Sequence, residues 1–238
     1  MKISSICGIS VLSFKNMKEY IKIIIKFSRY KKGFMKKRKY SVIVSDLGNV
    51  LIPFDYNIAF NKLEKIERGL GQRFLDQYKE NYDFHRKFES GFVSEDEFLT
   101  KLSGFINDKV DRETMIDVYS NIFTVNQDVV SLLSELKKRY RLVLLSNTNI
   151  VHQKYAWSKY DFIKHFEKLI LSHEVGACKP EEKIYKAVEE YTQLPPDEHI
   201  FIDDIFEYAE GAKKLGWDAV QFKNYNQLVN ELKDRRII

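Results

Sequence analysis

The chain has 238 residues, of which 44% are hydrophobic and 31% are charged. This composition excludes a disordered or collagen-like chain, and the length suits one catalytic domain with a smaller insertion. The net charge of +5 comes from residues 1–40, which hold 12 Lys or Arg and the single acid Glu19. Residues 41–238 carry 27 basic and 33 acidic groups, so the acidic body gives no reason to expect a nucleic-acid partner.

The basic leader, residues 1–40, comes first. Lys2 and the apolar run from Ile3 to Phe14 faintly resemble a signal peptide, but no small-residue cleavage site follows and the run is too short to span a bilayer. Residues 18–30 fit a basic interfacial helix poorly, because four isoleucines within five positions spread around a helix. We therefore favour translation from Met35 over a membrane anchor, and residues 1–40 need not belong to the native fold.

The two cysteines, Cys7 and Cys178, have no metal-ligand spacing and are too few for a secreted disulfide framework. A cytoplasmic location is therefore expected. No membrane partner is expected, and the chain should be a monomer or a homodimer.

The first predicted strand is the β-branched run Val42 to Ser45, which ends at Asp46 before the turn residues Gly48 and Asn49. Residues 57–123 then show helical patterns without a strand, including a capping box formed by Ser94 and Glu97. This segment is predicted to be an inserted helical cap of four helices. The aromatic residues expected in its core are Phe84, Phe88, Phe92 and Phe98.

After Asn126 the pattern alternates between helices and strands. This alternation predicts a doubly wound, Rossmann-like parallel α/β sheet, built from residues 41–56 and 124–238, with helices on both faces. Ligands of such sheets bind beyond the carboxyl ends of the strands. The predicted helices are 127–139, 150–159 and 181–191 with two more near the C-terminus, and the predicted strands are 142–145, 169–171, 200–202 and 219–222.

Four motifs stand at or just after strand ends, in the order DLGNV (46–50), LLSNTN (144–149), GACKP (176–180) and FIDD (201–204). Each has an ordinary structural explanation as a turn, a helix cap or a solvated lysine. Together they resemble the four motifs of the haloacid dehalogenase superfamily. More narrowly, they resemble its bacterial DLGNV subgroup with a small helical cap, which includes sugar-phosphate phosphatases such as the α-glucose-1-phosphate phosphatase.

The resemblance implies roles that agree with the chemistry of phosphoryl transfer, which needs an in-line nucleophile and positive charge around the phosphate. Asp46 would be the nucleophile, and Lys179 would neutralise charge and hold Asp46. Mg²⁺ would be bound by Asp46, Asp204 and the Gly48 carbonyl, with Asp203 behind them or acting through water. The residues expected to bind phosphate are Gly48, Asn49, Ser146, Asn147 and Lys179.

Gly48 departs from the wider superfamily, whose phosphatases carry a second Asp at this position as general acid and base. Such proton transfer typically contributes about a hundredfold to ten-thousandfold to the rate. The DLGNV subgroup shares the glycine and contains active phosphatases, so the change does not imply inactivity. Nothing in the sequence chooses among the possible substitutes, which are Asp55, His85, His152, His173 and Glu174.

Ile205 and Tyr208 also depart from the family, which has a small polar or basic residue and then Asn or Asp at these positions; Glu207 is a partial substitute. These changes motivate an alternative, a binding or regulatory protein that retains the fold with weak or no turnover. A metal-free 2-haloacid dehalogenase is disfavoured, because Asp203 and Asp204 supply an acidic metal cradle. The leading prediction is a Mg²⁺-dependent phosphomonoesterase that forms an aspartyl-phosphate and acts on a small phosphate ester. Among such esters, a sugar phosphate is the substrate that the resemblance favours.

Overall fold

The computed structural model describes residues 38–238. The predictions for residues 1–37, including the start at Met35, lie outside this range. Tyr40, assigned above to the leader, is buried in the core, and its hydroxyl donates a hydrogen bond to Asp218. The folded part therefore already includes Tyr40. Within residues 38–238, no helix is long and apolar enough to cross a membrane.

A five-stranded sheet forms the centre of the fold. All strand pairs are parallel, and the order is β3-β2-β1-β4-β5, so the first strand lies in the middle. The predicted parallel α/β fold is confirmed. Because the strands are parallel, their carboxyl ends meet at one edge of the sheet. The strands are β1 (Val42–Ser45), β2 (Arg141–Ser146), β3 (Lys168–Leu171), β4 (His199–Asp203) and β5 (Asp218–Gln221).

Five helices, rather than the four predicted, lie between β1 and the next core helix. Three of them begin where the side chain of Asp55, Ser94 or Asp111 accepts a backbone N–H of the first turn, which satisfies a donor that the helix leaves free. The Ser94 cap was predicted from the sequence. The helices are α1 (Tyr56–Ile66), α2 (Leu70–Glu80), α3 (Tyr82–Glu89), α4 (Glu95–Phe105) and α5 (Arg112–Ser120).

The core of this helical segment is aromatic. Phe88 and Phe98 are buried and stack with ring centroids 3.8 Å apart, and Phe84 packs against them from a half-buried position. The prediction for Phe92 is wrong, because this side chain is 72% exposed in the turn before α4. Helical spacing places a residue on a face only while the helix lasts, and α3 ends at Glu89.

Helices cover both faces of the sheet. Ile43 faces a cluster with Leu133 and Leu232, whereas Val42 and Val44 face the opposite cluster. Successive side chains of a strand point to opposite faces, so Val42, Ile43 and Val44, which are covered on both faces of the sheet, are all apolar. The remaining helices are α6 (Gln127–Leu136), α7 (Ile150–His152), α8 (Ser172–Val175), α9 (Glu182–Thr192), α10 (Phe206–Lys214) and α11 (Tyr225–Asp234).

The segment after β2 differs from the helix predicted over residues 150–159. Helix α7 has a single α-helical turn and continues as a π-helical turn over Gln153–Trp157. Trp157 is completely buried and donates its indole N–H to Thr148 Oγ1 at 3.3 Å. The wider turn thus anchors the loop that follows β2.

Candidate active site

Carboxylates from two adjacent strands meet at the carboxyl edge of the sheet. Asp46 follows β1, Asp203 ends β4, and Asp204 comes next in the chain. One carboxylate oxygen from each lies within 4.8 Å of the others. The sequence-predicted grouping of these three side chains is therefore what the fold produces.

Lys179 reaches this group from the loop before α9 and is 1% exposed. Its ammonium nitrogen lies 2.8 Å from Asp46 Oδ1 and 2.6 Å from Asp203 Oδ2, and it donates to the Leu145 carbonyl at 3.2 Å. An ammonium group has three N–H donors, so these three acceptors satisfy it completely. Lys179 is therefore held in one position beside the nucleophile candidate.

Burial raises the pKa of Asp46 to about 7, since a buried carboxylate loses its hydration. Lys179 acts in the opposite direction and Asp203 adds to the increase. Burial also disfavours the charge on Lys179, but the Asp203 and Asp46 carboxylates outweigh it and raise the pKa of Lys179. Lys179 is thus a permanent cation at this edge.

Both oxygens of Asp203 are engaged by the protein. Oδ2 contacts Lys179, and Oδ1 accepts the backbone N–H of Ile205 at 2.8 Å. Asp204 is different, because its Oδ2 accepts a side-chain N–H of Asn49 at 3.0 Å and the residue lines the cleft. Asp203 therefore supports Lys179, whereas Asp204 and Asp46 have free oxygen capacity.

This set of donors fits a magnesium ion. Mg²⁺ prefers oxygen ligands, is usually held by one or two carboxylates and keeps several waters. Asp46, Asp204 and the Gly48 carbonyl are oxygen donors at the cleft, and two carboxylates not fully matched by cations need positive charge. A bound Mg²⁺ would therefore offset the negative charge of Asp46 and Asp204.

The residues after β2 position the Lys179 loop. Asn147 accepts the backbone N–H of Lys179 at 2.7 Å and donates to the Lys179 carbonyl at 3.1 Å. Ser146 is 2% exposed and lines the cleft beside Asp46. The Asn147 side chain is therefore committed to the loop, and its phosphate-binding role would fall to its backbone.

At Gly48, Phe54 occupies the space into which a side chain would project. A Cβ added to Gly48 would lie 3.4 Å from the Phe54 ring. Phe54 in turn packs edge-to-face on Tyr56 and Phe123 at the rim of the cleft. A side chain at position 48 would therefore pack against this ring.

Of the five predicted substitutes for the missing acid, His85 and His152 line the cleft, whereas Asp55, His173 and Glu174 are not part of its wall. His152 stacks on Tyr119 at 4.3 Å and uses both ring nitrogens, with Asn149 and the Tyr119 carbonyl. Burial lowers the pKa of His152 to about 3, so this ring stays neutral. His85 is the remaining candidate with a side chain in the cleft.

Tyr208 and Ile205, where the sequence departs from the family, both line the cleft. The Tyr208 ring centroid lies 5.2 Å from the Lys179 nitrogen, close enough for a cation–π contact. Tyr208 therefore supports the charge of Lys179 through its ring, and Lys179 keeps its three hydrogen-bonding partners without an Asn or Asp at this position.

One wall of the cleft was missed by the motif analysis. It comes from helix α3, whose residues Tyr82, His85, Arg86 and Glu89 all line the cleft. Their spacing of three, four and seven positions places them on one helical face. The signal was available in the sequence, because Phe84 and Phe88 mark the opposite, apolar face.

Comparison with known proteins agrees with this geometry. The family model for haloacid dehalogenase-like hydrolases matches residues 40–216. The chain belongs to this hydrolase family. The predicted family membership is thereby confirmed.

Two curated relatives of this hydrolase are named as phosphatases. One is a D-ribitol-5-phosphate phosphatase of Bacteroides thetaiotaomicron, 27% identical over 76% of this chain and 91% of the relative. The other is a glyceraldehyde 3-phosphate phosphatase of Pyrococcus furiosus, 25% identical over 77% of this chain and 72% of the relative.

Among solved structures, a HAD family enzyme of Bacteroides thetaiotaomicron in complex with magnesium and inorganic phosphate superposes with a TM-score of 0.69. It is 28% identical, over 79% of this chain and 98% of that one. An L-2-haloacid dehalogenase of Xanthobacter autotrophicus superposes with a TM-score of 0.57 at 19% identity, over 84% of each chain, which shows a shared fold.

Proposed function

We propose that this hydrolase is a Mg²⁺-dependent phosphomonoesterase that acts through an aspartyl-phosphate on Asp46, with a sugar or polyol phosphate as its substrate. The observation that carries the proposal is the buried contact of Asp46 with Lys179, with Asp204 beside it. The named activities of the two curated relatives support the substrate class.

The reaction follows from the positions of the residues. An Asp46 carboxylate oxygen attacks phosphorus in line with the ester oxygen. The new O–P bond forms as the ester P–O bond breaks, and the leaving alkoxide takes a proton from solvent water. Water then attacks phosphorus, and the P–O bond to Asp46 breaks. Inorganic phosphate leaves with the water oxygen, a proton of that water returns to solvent, and Asp46 is regenerated as a carboxylate. Lys179 balances the charge of the transferring group, and bound Mg²⁺ would add positive charge at its oxygens.

The alternative of a binding protein with weak turnover rested on Ile205 and Tyr208. Lys179 remains held by Asp46, Asp203 and Leu145 despite these changes, so they give no structural reason for an inactive site. The metal-free dehalogenase alternative is disfavoured by the cluster of three carboxylates, because a metal-free reaction needs no such cluster.

The test is hydrolysis of p-nitrophenyl phosphate by wild type and Asp46→Asn, each with Mg²⁺ and with EDTA. The good leaving group of this ester needs no general acid, so the absence of a side chain at Gly48 does not limit the assay. Wild type should turn over only with Mg²⁺, and Asp46→Asn should lose about a thousandfold or more.

Equal activity of Asp46→Asn and wild type would refute the aspartyl-phosphate. Activity that persists in EDTA would refute the metal requirement. A wild type without turnover on p-nitrophenyl phosphate and on a panel of sugar phosphates would favour the binding protein.

The proposal also includes a cytoplasmic location, for which the buried free thiol of Cys178 gives support.

A further inference from the structure

The cleft has a second group of charged side chains, on the face of α3 opposite the strand ends. Glu89 Oε1 lies 3.2 Å from His85 Nε2, and Glu89 Oε2 accepts from Arg86 at 3.0 Å. Because the Glu89 carboxylate can only accept, the ring proton is assigned to His85 Nε2, and Nδ1 accepts from the Tyr78 hydroxyl at 2.7 Å. All of Glu89, Arg86 and His85 share the cleft with Asp46.

These side chains have capacity for a ligand. A carboxylate has about four acceptor sites and a guanidinium has five N–H donors. The Glu89–Arg86 bond uses one of each, and His85 occupies one more acceptor site of Glu89. The Glu89 side chain is 13% exposed and that of Arg86 is 35% exposed, so both can reach a molecule in the cleft. Acceptor and donors lie side by side, which is the pattern that adjacent hydroxyl groups need.

The charge of this group is balanced. Burial opposes the charge on Glu89, but the hydrogen bond from His85 and the charge of Arg86 outweigh it and lower the pKa of Glu89. Glu89 is therefore an anion beside the cation Arg86, and their fields largely cancel at a distance. A second anionic group on a substrate gains little attraction from such a pair, whereas a hydroxyl group can bond to both members.

We propose that Glu89 and Arg86 bind hydroxyl groups of the leaving group, so that the enzyme prefers phosphate esters of uncharged polyols and sugars to those that also carry a carboxylate. This inference rests on the proposed phosphatase activity. The two residues determine specificity and take no part in the chemical step.

The test compares kcat/KM on matched esters. Glycerol 3-phosphate and ribitol 5-phosphate each have a counterpart in which the terminal CH₂OH is a carboxylate, glycerate 3-phosphate and ribonate 5-phosphate. p-Nitrophenyl phosphate has no hydroxyl group and reports the chemical step. The variants are Glu89→Gln and Arg86→Gln, and the control is Glu80→Gln, the same change on the exposed side of helix α2.

Wild type should prefer the polyol esters to the acids. Glu89→Gln should lower kcat/KM for the polyol esters by about tenfold to a hundredfold, because a hydrogen bond to a charged group is lost. It should also shift preference toward the acids, since Arg86 is then uncompensated, and Arg86→Gln should shift preference away from them. Turnover of p-nitrophenyl phosphate should stay within about twofold in Glu80→Gln, and Glu89→Gln should lower it by a smaller factor than it lowers kcat/KM for the polyol esters.

Opposite shifts in the two variants cannot come from a purely structural role. The inference is overturned if wild type prefers the acids, if Glu89→Gln behaves like Glu80→Gln, or if it slows every ester equally. A wild type that hydrolyses p-nitrophenyl phosphate without the polyol preference overturns this inference alone. A wild type that hydrolyses none of the esters overturns the proposed function as well.

Discussion

The two walls of the cleft differ in how their charged side chains are paired and exposed. At the strand ends, Lys179 and Asp203 are 1% and 0% exposed and fully matched by partners. On α3, Arg86 is 35% exposed and pairs with Glu89 while keeping free donors. Buried charges must be compensated within the protein, and this fixes their positions. In a half-buried ion pair, a side chain can instead form hydrogen bonds with a bound ligand. The wall at the strand ends is thus suited to a chemical step, and the α3 wall is suited to binding the substrate.

Removal of the buried cation gives the largest expected effect. Lys179→Met leaves Asp46 and Asp203 facing each other without a counter-charge. The free energy of unfolding should fall by about 3–5 kcal/mol, and kcat on p-nitrophenyl phosphate should fall by at least about a hundredfold. Urea unfolding and steady-state kinetics measure the two effects.

The matched control is Lys214→Met, which removes an exposed lysine at the end of α10 and should change neither quantity. If Lys179→Met lost activity but kept its full stability, the buried ion pairs would not be holding the strand ends together. The contrast between the two walls would then be wrong.

Gly91, in the turn between α3 and α4, tests the contact between the helical segment that carries the α3 wall and the core. Its φ is +75°, and a Cβ there would lie 2.2 Å from the His173 carbonyl oxygen of the core. Gly91→Ala should cost about 3 kcal/mol of unfolding free energy, from backbone strain and the clash, and raise KM as α3 is displaced. Urea unfolding and substrate titration are the measurements.

Gly104→Ala is the control for Gly91→Ala. Gly104 lies within α4, and a Cβ there meets no atom within 4 Å. The change should stabilise the protein by about 0.5–1 kcal/mol, because alanine loses less backbone freedom in a helix. If both substitutions had the same effect, the close approach at Gly91 would carry no special constraint.

The pH dependence of the free energy of unfolding tests whether the buried His152 is held neutral. The pKa of His152 is lowered from 6.5 to about 3 by burial, so the unfolded chain binds its proton more readily than the folded protein. Stability from this group is present above pH 6.5 and is lost as pH falls toward 3. Between pH 6.5 and 4.5 the loss should be about 2 kcal/mol.

His152→Gln should remove that part of the pH dependence when urea unfolding is measured at pH 6.5 and 4.5. His165→Gln is the control, because His165 lies near the surface and burial lowers its pKa less. An unchanged pH profile in His152→Gln would mean that the imidazole is not held neutral by the aromatic interior.

The strands and the polar residues at their ends could be predicted because both depend on local patterns. Val42, Ile43 and Val44 are apolar because they lie inside the sheet, and the polar Asp46 and Asp203 mark the places where strands end. Parallel pairing then brings those ends together. Two helical segments were harder to predict. Phe92 has helical spacing but lies beyond the end of α3, and α7 widens into a π-helical turn that no simple periodicity predicts.

The sequence by itself determined the parallel sheet, the family and the acidic residues at its edge, because each is a short pattern with a fixed geometric consequence. Only the tertiary structure decided that Asp203 serves Lys179 while Asp204 lines the cleft, that Phe54 fills the space beside Gly48, and that Glu89 and Arg86 form the opposite wall. These contacts join residues distant in the chain, and their geometry depends on how the helical insertion packs against the sheet.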